Sequence, residues 1–164
     1  MTKSPATKQW YFGNWSGLGW LETVIKLIAF IAAISALINA TSSSEYATLN
    51  GIQLIQVVVL GILAFGLTLG IIDRYNHREI IAMVFILINN VAHWGMVYAL
   101  LKVPGPSSLL LIFAGLMHLG DWVKIYWLWV SGYTQDGYPQ WLMYVLTGSF
   151  VVGYAIILLL ALVS

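Results

Sequence analysis

From position 21 onward the chain is built from five long apolar stretches, at about 21–40, 51–72, 80–101, 107–130 and 141–163, parted by short polar segments. Each holds about 20 to 24 residues, the length that an α-helix rising 1.5 Å per residue needs to cross a hydrocarbon core of ~30 Å. A closed barrel would instead show strands of alternating polarity about 10 residues long, so helices are the expected spanning elements. The predicted fold is all-α: an integral membrane bundle of five transmembrane helices forming one domain over 21–164.

The polar segments read as connections. TSSSEYATLN separates the first two spans, and the cluster Asp73 to Glu79 (DRYNHRE) is expected as a loop between the second and third. KVPGPS, with Pro104 and Pro106 around Gly105, is the sharpest turn signal, and SGYTQDGYP precedes the last span. Residues 1–20 form a polar N-terminus (Met1 to Gln9) followed by WYFGNWSGLGW, Trp10 to Trp20, in which aromatics alternate with glycines. Aromatic rings favour the headgroup layer, so this part is expected as an interfacial segment or short re-entrant turn. A charged n-region running into an apolar h-region is not seen there, and the first span is expected to act as an uncleaved signal-anchor.

Composition sharpens the class. Apolar residues make up 60% of the chain and charged residues only 8%, against roughly 25% charged in an average soluble domain. A net charge of +1 without a polybasic run gives no reason to expect a nucleic-acid partner. Cysteine is absent, which excludes disulfides, thiol nucleophiles and thiolate-ligated metals. Lys3, Lys8, Arg74 and Arg78 fall on one side of the predicted topology and Lys102 on the other. The positive-inside rule then places the N-terminus in the cytoplasm and the C-terminus on the opposite side, with a bacterial inner membrane as the expected location. That assignment depends on the fourth span crossing fully.

The candidate chemistry is charge at membrane depth, which is costly and therefore informative. Glu22 and Lys26 lie in the first span, and Asp121 and Lys124 in the fourth, where they share a face with His118. The four charges sum to zero and fall at similar depth, so the expected pairs are Asp121 with Lys26 and Glu22 with Lys124. Such pairs can act as a packing clamp or as part of a proton or ion relay. The third span carries a second polar stripe, Asn89, Asn90 and His93. Its tight link to the fourth span makes these two helices expected antiparallel neighbours, with Asn89, Asn90, His93 and His118 meeting in one polar seam. Glycines in the second and fifth spans, Gly66 and Gly70 among them, are expected at close helix contacts.

No hydrolase, nucleotide or metalloprotease motif is present, and the expectation is a non-catalytic protein. The first functional expectation is an accessory or scaffolding subunit of a larger membrane complex, with lipid and other subunits, or itself, as partners. The alternative is a small-ligand or ion binding or transport protein with a polar site between spans one, three and four. A further alternative is an electron carrier with haem b between His93 and His118; otherwise no cofactor or metal is expected.

Overall fold

The computed structural model describes residues 16–103, 108–133 and 138–163. Five helices account for most of them: α1 Gly17–Thr41, α2 Gly51–His77, α3 Ile80–Lys102, α4 Ser108–Ser131 and α5 Gln140–Val163. All five are long and apolar enough to cross a membrane, α4 included, which runs unbroken through its two charges. The fold is the expected all-α bundle.

Local sequence sets the helix ends. Ser16 Oγ accepts the Gly19 N–H at 3.2 Å to cap α1. Asn50 and Gln53 form a reciprocal capping box at the start of α2, at 2.9 and 3.0 Å, two otherwise orphan N–H groups satisfied at once. Two boundaries differ from the sequence expectation. Gly17–Trp20 is the first turn of α1 and not a separate interfacial turn; Trp10 to Trp15 lie outside the described residues. The Asp73–His77 run is the last turn of α2 and not a loop. His77 Nδ1 reaches the Asp73 carbonyl at 2.9 Å, and Arg78 ends the helix in a left-handed conformation, φ 59°. A polar run marks where a helix leaves the hydrocarbon, which need not be where the helix stops. Lys3, Lys8 and the turn residues Pro104–Ser107 also lie outside the described residues.

The helices close into a ring in the order α1, α3, α2, α5, α4 and back to α1, with α2 against α5 the loosest neighbours. The expected pairing of α3 with α4 is therefore corrected: these consecutive helices are not a close-packed pair, because α1 sits between them. Side-chain size explains the wedge. Ala29, Ala32, Ala33, Ala36 and Ala40 recur at helical spacing on α1 and are all buried. A helix face of methyl groups lets the α1 backbone enter a gap that leucines would fill. Gly153 gives α5 a similar approach to α2, since a Cβ there would meet Leu63 Cδ2 at 2.9 Å.

Hydrogen bonds between connections define the two ends of the ring. The Ala47 N–H donates to the Leu101 carbonyl at 2.9 Å, and Lys102 Nζ lies 3.9 Å from the Tyr46 ring centroid. This end, with the α1–α2 connection, is called distal. At the other end, called proximal, the Tyr138 hydroxyl donates to Asp73 Oδ1 at 3.1 Å, tying the α4–α5 connection to the end of α2. Arg74 and Glu79 form an ion pair on the same side.

Outward-facing positions are apolar on every helix; Ile31, Ile62, Phe65, Val152 and Leu159 are each more than half exposed. Trp20, Trp129 and Trp141 are exposed near the proximal ends of their helices, as expected of rings seated at a membrane boundary. Large apolar side chains facing outward along five helices long enough to cross a bilayer define an integral membrane protein.

Candidate functional site

The charged residues of α1 and α4 meet inside the ring. Glu22 and Lys26 are one turn apart on α1, and Lys26 Nζ donates to Glu22 Oε1 at 2.7 Å and to Asp121 Oδ1 of α4 at 2.5 Å. All three side chains are buried, Asp121 at 4% exposure. The lysine stem crosses the α4 surface at Gly120, where a Cβ would stand 2.9 Å from Lys26 Cε. The residue before the aspartate thus has no side chain because the lysine needs that space. On its α3 side, the ammonium lies 5.9 Å from the Phe85 ring centroid.

The expected Asp121–Lys26 pair is therefore present, whereas Glu22 bonds Lys26 and not Lys124. Lys124 is half-buried, with no carboxylate within 4.0 Å among the described residues. It still lies within the electrostatic reach of Glu22, Asp121, Lys26 and Arg74. The i,i+4 geometry within α1 explains the change of partner: a lysine already one turn from Glu22 needs no second helix to reach it.

The polar residues of α3 reach past α4. Asn89 Nδ2 donates to the Phe85 carbonyl of its own helix at 2.8 Å. Asn90 Nδ2 donates to Thr68 Oγ1 of α2 at 3.0 Å. His93 is buried; one ring nitrogen, Nδ1, lies 2.6 Å from the Asn89 carbonyl, and the other, Nε2, lies 2.5 Å from the Tyr154 hydroxyl of α5. A carbonyl can only accept, so Nδ1 carries a proton, and in the neutral ring Nε2 accepts from Tyr154. The ring also stands edge-on to Phe113 of α4, with centroids 5.1 Å apart. His118 is half-buried and turns to α5. Its Nδ1 donates to the Val151 carbonyl at 3.1 Å, and its Nε2 accepts from Trp122 at 3.0 Å.

The single seam expected between α3 and α4 is thus resolved into separate contacts to α2 and α5, because α1 occupies the space between α3 and α4. Both nitrogens of His93 and of His118 are engaged. A haem iron between them would have to displace Tyr154 from one ring and Trp122 or the Val151 carbonyl from the other. Among the described residues no group of three His, Asp or Glu side chains is placed to hold a metal ion.

Among the described residues three buried acceptor atoms have no hydrogen-bond partner: Asn89 Oδ1, Asn90 Oδ1 and Asp121 Oδ2. Buried acceptors are nearly always satisfied, so each one calls for an explanation. Tyr154 and Thr68, which complete the polar contacts of α3, were not singled out from sequence. The weak signal for Tyr154 is a hydroxyl in mid-span next to Gly153; for Thr68 there is none, since threonine commonly bonds its own helix, as here to the Ala64 carbonyl at 3.0 Å. On the outside of the α1–α3 pair lies an apolar groove of about 280 Å³, lined by Trp20, Leu27, Val84, Phe85 and Ile88 among others.

Fold and site together define a small polytopic α-helical membrane protein with a buried, charge-balanced polar site. The chain matches no family model, no characterised protein and no solved structure.

Proposed function

We propose that the chain is an ion-binding membrane protein whose site for a small cation lies between α1, α3 and α4. One observation carries this reading. Asp121 gives Lys26 one carboxylate oxygen and keeps the other, buried, without a donor among the described residues. A clamp built only to hold helices together gains most when every lone pair is used, since an unsatisfied buried acceptor costs about 1–3 kcal/mol. An oxygen kept free beside a charged network is what reversible cation binding requires. The reading is tested by the melting temperature of the purified protein over a pH series and in sodium, potassium and ammonium chloride at constant ionic strength. A ligand that binds the folded state raises its stability by RT ln(1 + L/Kd), where L is the free ligand concentration. At least one cation is expected to shift the melting point in the native chain and not in Asp121→Asn. No Asp121-dependent effect of any of them overturns the proposal.

A second reading, an accessory subunit of a larger membrane complex, is favoured by α2. Ile62, Phe65, Leu69 and Ile72 are each more than half exposed, and Gly61 has open space beside it. Gentle solubilisation of the native membrane tests it: recovery of the chain only as a free monomer removes this reading and leaves the first untouched.

A further inference from the structure

The buried polar groups around Asp121 lie nearer the proximal end than the apolar core of α3 and α4 that follows them. Measured along the helix axes from their proximal ends, Glu22 lies at ~8 Å, Lys124 at ~11 Å, Lys26 and Asn89 at ~14 Å and Asp121 at ~15 Å. His93 and Tyr154 follow at ~20 Å and ~21 Å. Beyond them the α3 and α4 side of the interior is apolar, with Met96 at ~24 Å, Phe113 at ~27 Å, Leu100 at ~30 Å and Leu110 at ~32 Å. On α2 the buried Gln56, also at ~32 Å, donates its amide N–H to the Ile157 carbonyl. The four apolar side chains are at most 4% exposed and belong to one continuous core cluster. The polar groups around Asp121 thus form a track that begins at the proximal end and reaches the His93–Tyr154 pair.

The nature of the site narrows its load. Facing Asp121 are Glu22 and Lys26 from α1, Lys124 from its own helix and Tyr154 from α5. His93 of α3 lies behind Tyr154, and Arg74 of α2 acts on Lys124. The Lys26 ammonium bonded to Asp121 and the Lys124 charge within electrostatic reach disfavour a metal cation, which also needs several converging oxygens. A proton needs one acceptor.

Resting on the cation-site reading above, we propose that the load is a proton and that it enters from the proximal face alone. It passes Glu22 and Lys124 and is held on Asp121 Oδ2, while Met96, Leu100, Leu110 and Phe113 bar the distal side. The step is a plain transfer: hydronium gives its proton to the carboxylate, leaving a neutral carboxyl and water. Asp121 Oδ1 keeps the Lys26 ammonium throughout.

The native chain has no cysteine, so single cysteines report access without background. Lys124→Cys, Glu22→Cys, Leu100→Cys and Met96→Cys are reconstituted in sealed vesicles and exposed on one side at a time to a membrane-impermeant cationic thiosulfonate. Ser131→Cys, exposed at the proximal end, and Ser43→Cys, half-exposed at the distal end, show which face the reagent meets. Lys124→Cys, a half-buried position expected to tolerate the change, should label whenever Ser131→Cys labels and never with Ser43→Cys alone. Glu22→Cys should follow it if it folds, and Leu100→Cys and Met96→Cys should stay unlabelled from both sides. Labelling of Lys124→Cys from the distal side or from neither, or labelling of Leu100→Cys from the distal side, overturns the access route. A melting series in which sodium or potassium, and not pH, acts through Asp121 overturns the proton and leaves the cation site standing. No Asp121-dependent effect of any cation removes the site itself, whatever the labelling pattern.

Discussion

Gly120 and Lys26 fit together as lock and bolt: the lysine stem occupies the volume that any side chain at position 120 would need, with Cε 2.9 Å from the place of a Cβ. This contact sets the α1–α4 spacing and delivers the ammonium to Asp121. Gly120→Ala is expected to push Lys26 off Asp121 and destabilise the protein by about 1–3 kcal/mol, the range for overpacking. Gly115→Ala, on the same helix with nothing within 4 Å, is the control and should be neutral or slightly stabilising. Thermal unfolding of both in one detergent checks the pair; equal melting points would mean that the Lys26 stem does not pack on α4 as described.

The Lys26–Asp121 pair should show strong coupling. Removing one buried partner leaves the other charge uncompensated, at a cost of about 3–5 kcal/mol. Lys26→Met and Asp121→Leu are therefore each expected to destabilise by that order, and the double variant by much less than the sum. Glu22 moderates the Asp121→Leu change, because Lys26 retains its 2.7 Å bond to Glu22. Additive losses in a full double-mutant cycle would show that the charges do not meet.

Much of this was legible in the sequence, for a simple reason: spanning a bilayer forces length and hydropathy on every helix, so five elements and the all-α class follow from the apolar runs alone. The depth of Glu22, Lys26, Asp121 and Lys124 was readable from the same ruler, and with it the Lys26–Asp121 pair. Which helices adjoin was not. A short connection between spans three and four suggests neighbours, yet the alanine face of α1 takes the place between them. That choice is a matter of volumes summed over three helices, which no single stretch encodes. Tyr154 as the partner of His93 was hidden for the same reason, since α5 meets α3 only through side chains that cross the ring.

Tyr154→Phe isolates the hydroxyl. The ring would keep its packing, while His93 Nε2, buried and 2.5 Å from that hydroxyl, would lose its donor at a cost of about 1–3 kcal/mol. Exchange or titration of the His93 ring protons, followed by nuclear magnetic resonance in detergent, should change with it. An unchanged His93 spectrum in Tyr154→Phe contradicts the assigned bond.

Arg78 ends α2 at φ 59°, a conformation that costs a residue with a Cβ about 1–2 kcal/mol. Arg78→Gly should therefore raise stability by up to about 1 kcal/mol. A loss of stability instead would show that the Arg78 side chain makes a contact worth more than the strain.

Infrared difference spectroscopy observes proton uptake by the free oxygen of Asp121 at the bond where it happens. Spectra of the purified protein are recorded between neutral and acidic pH, for the native chain and for Asp121→Asn. A protonated carboxyl C=O band is expected that appears on acidification, moves on exchange into heavy water and is missing from Asp121→Asn. An acid-induced carboxyl spectrum identical in the two proteins would contradict proton uptake at Asp121.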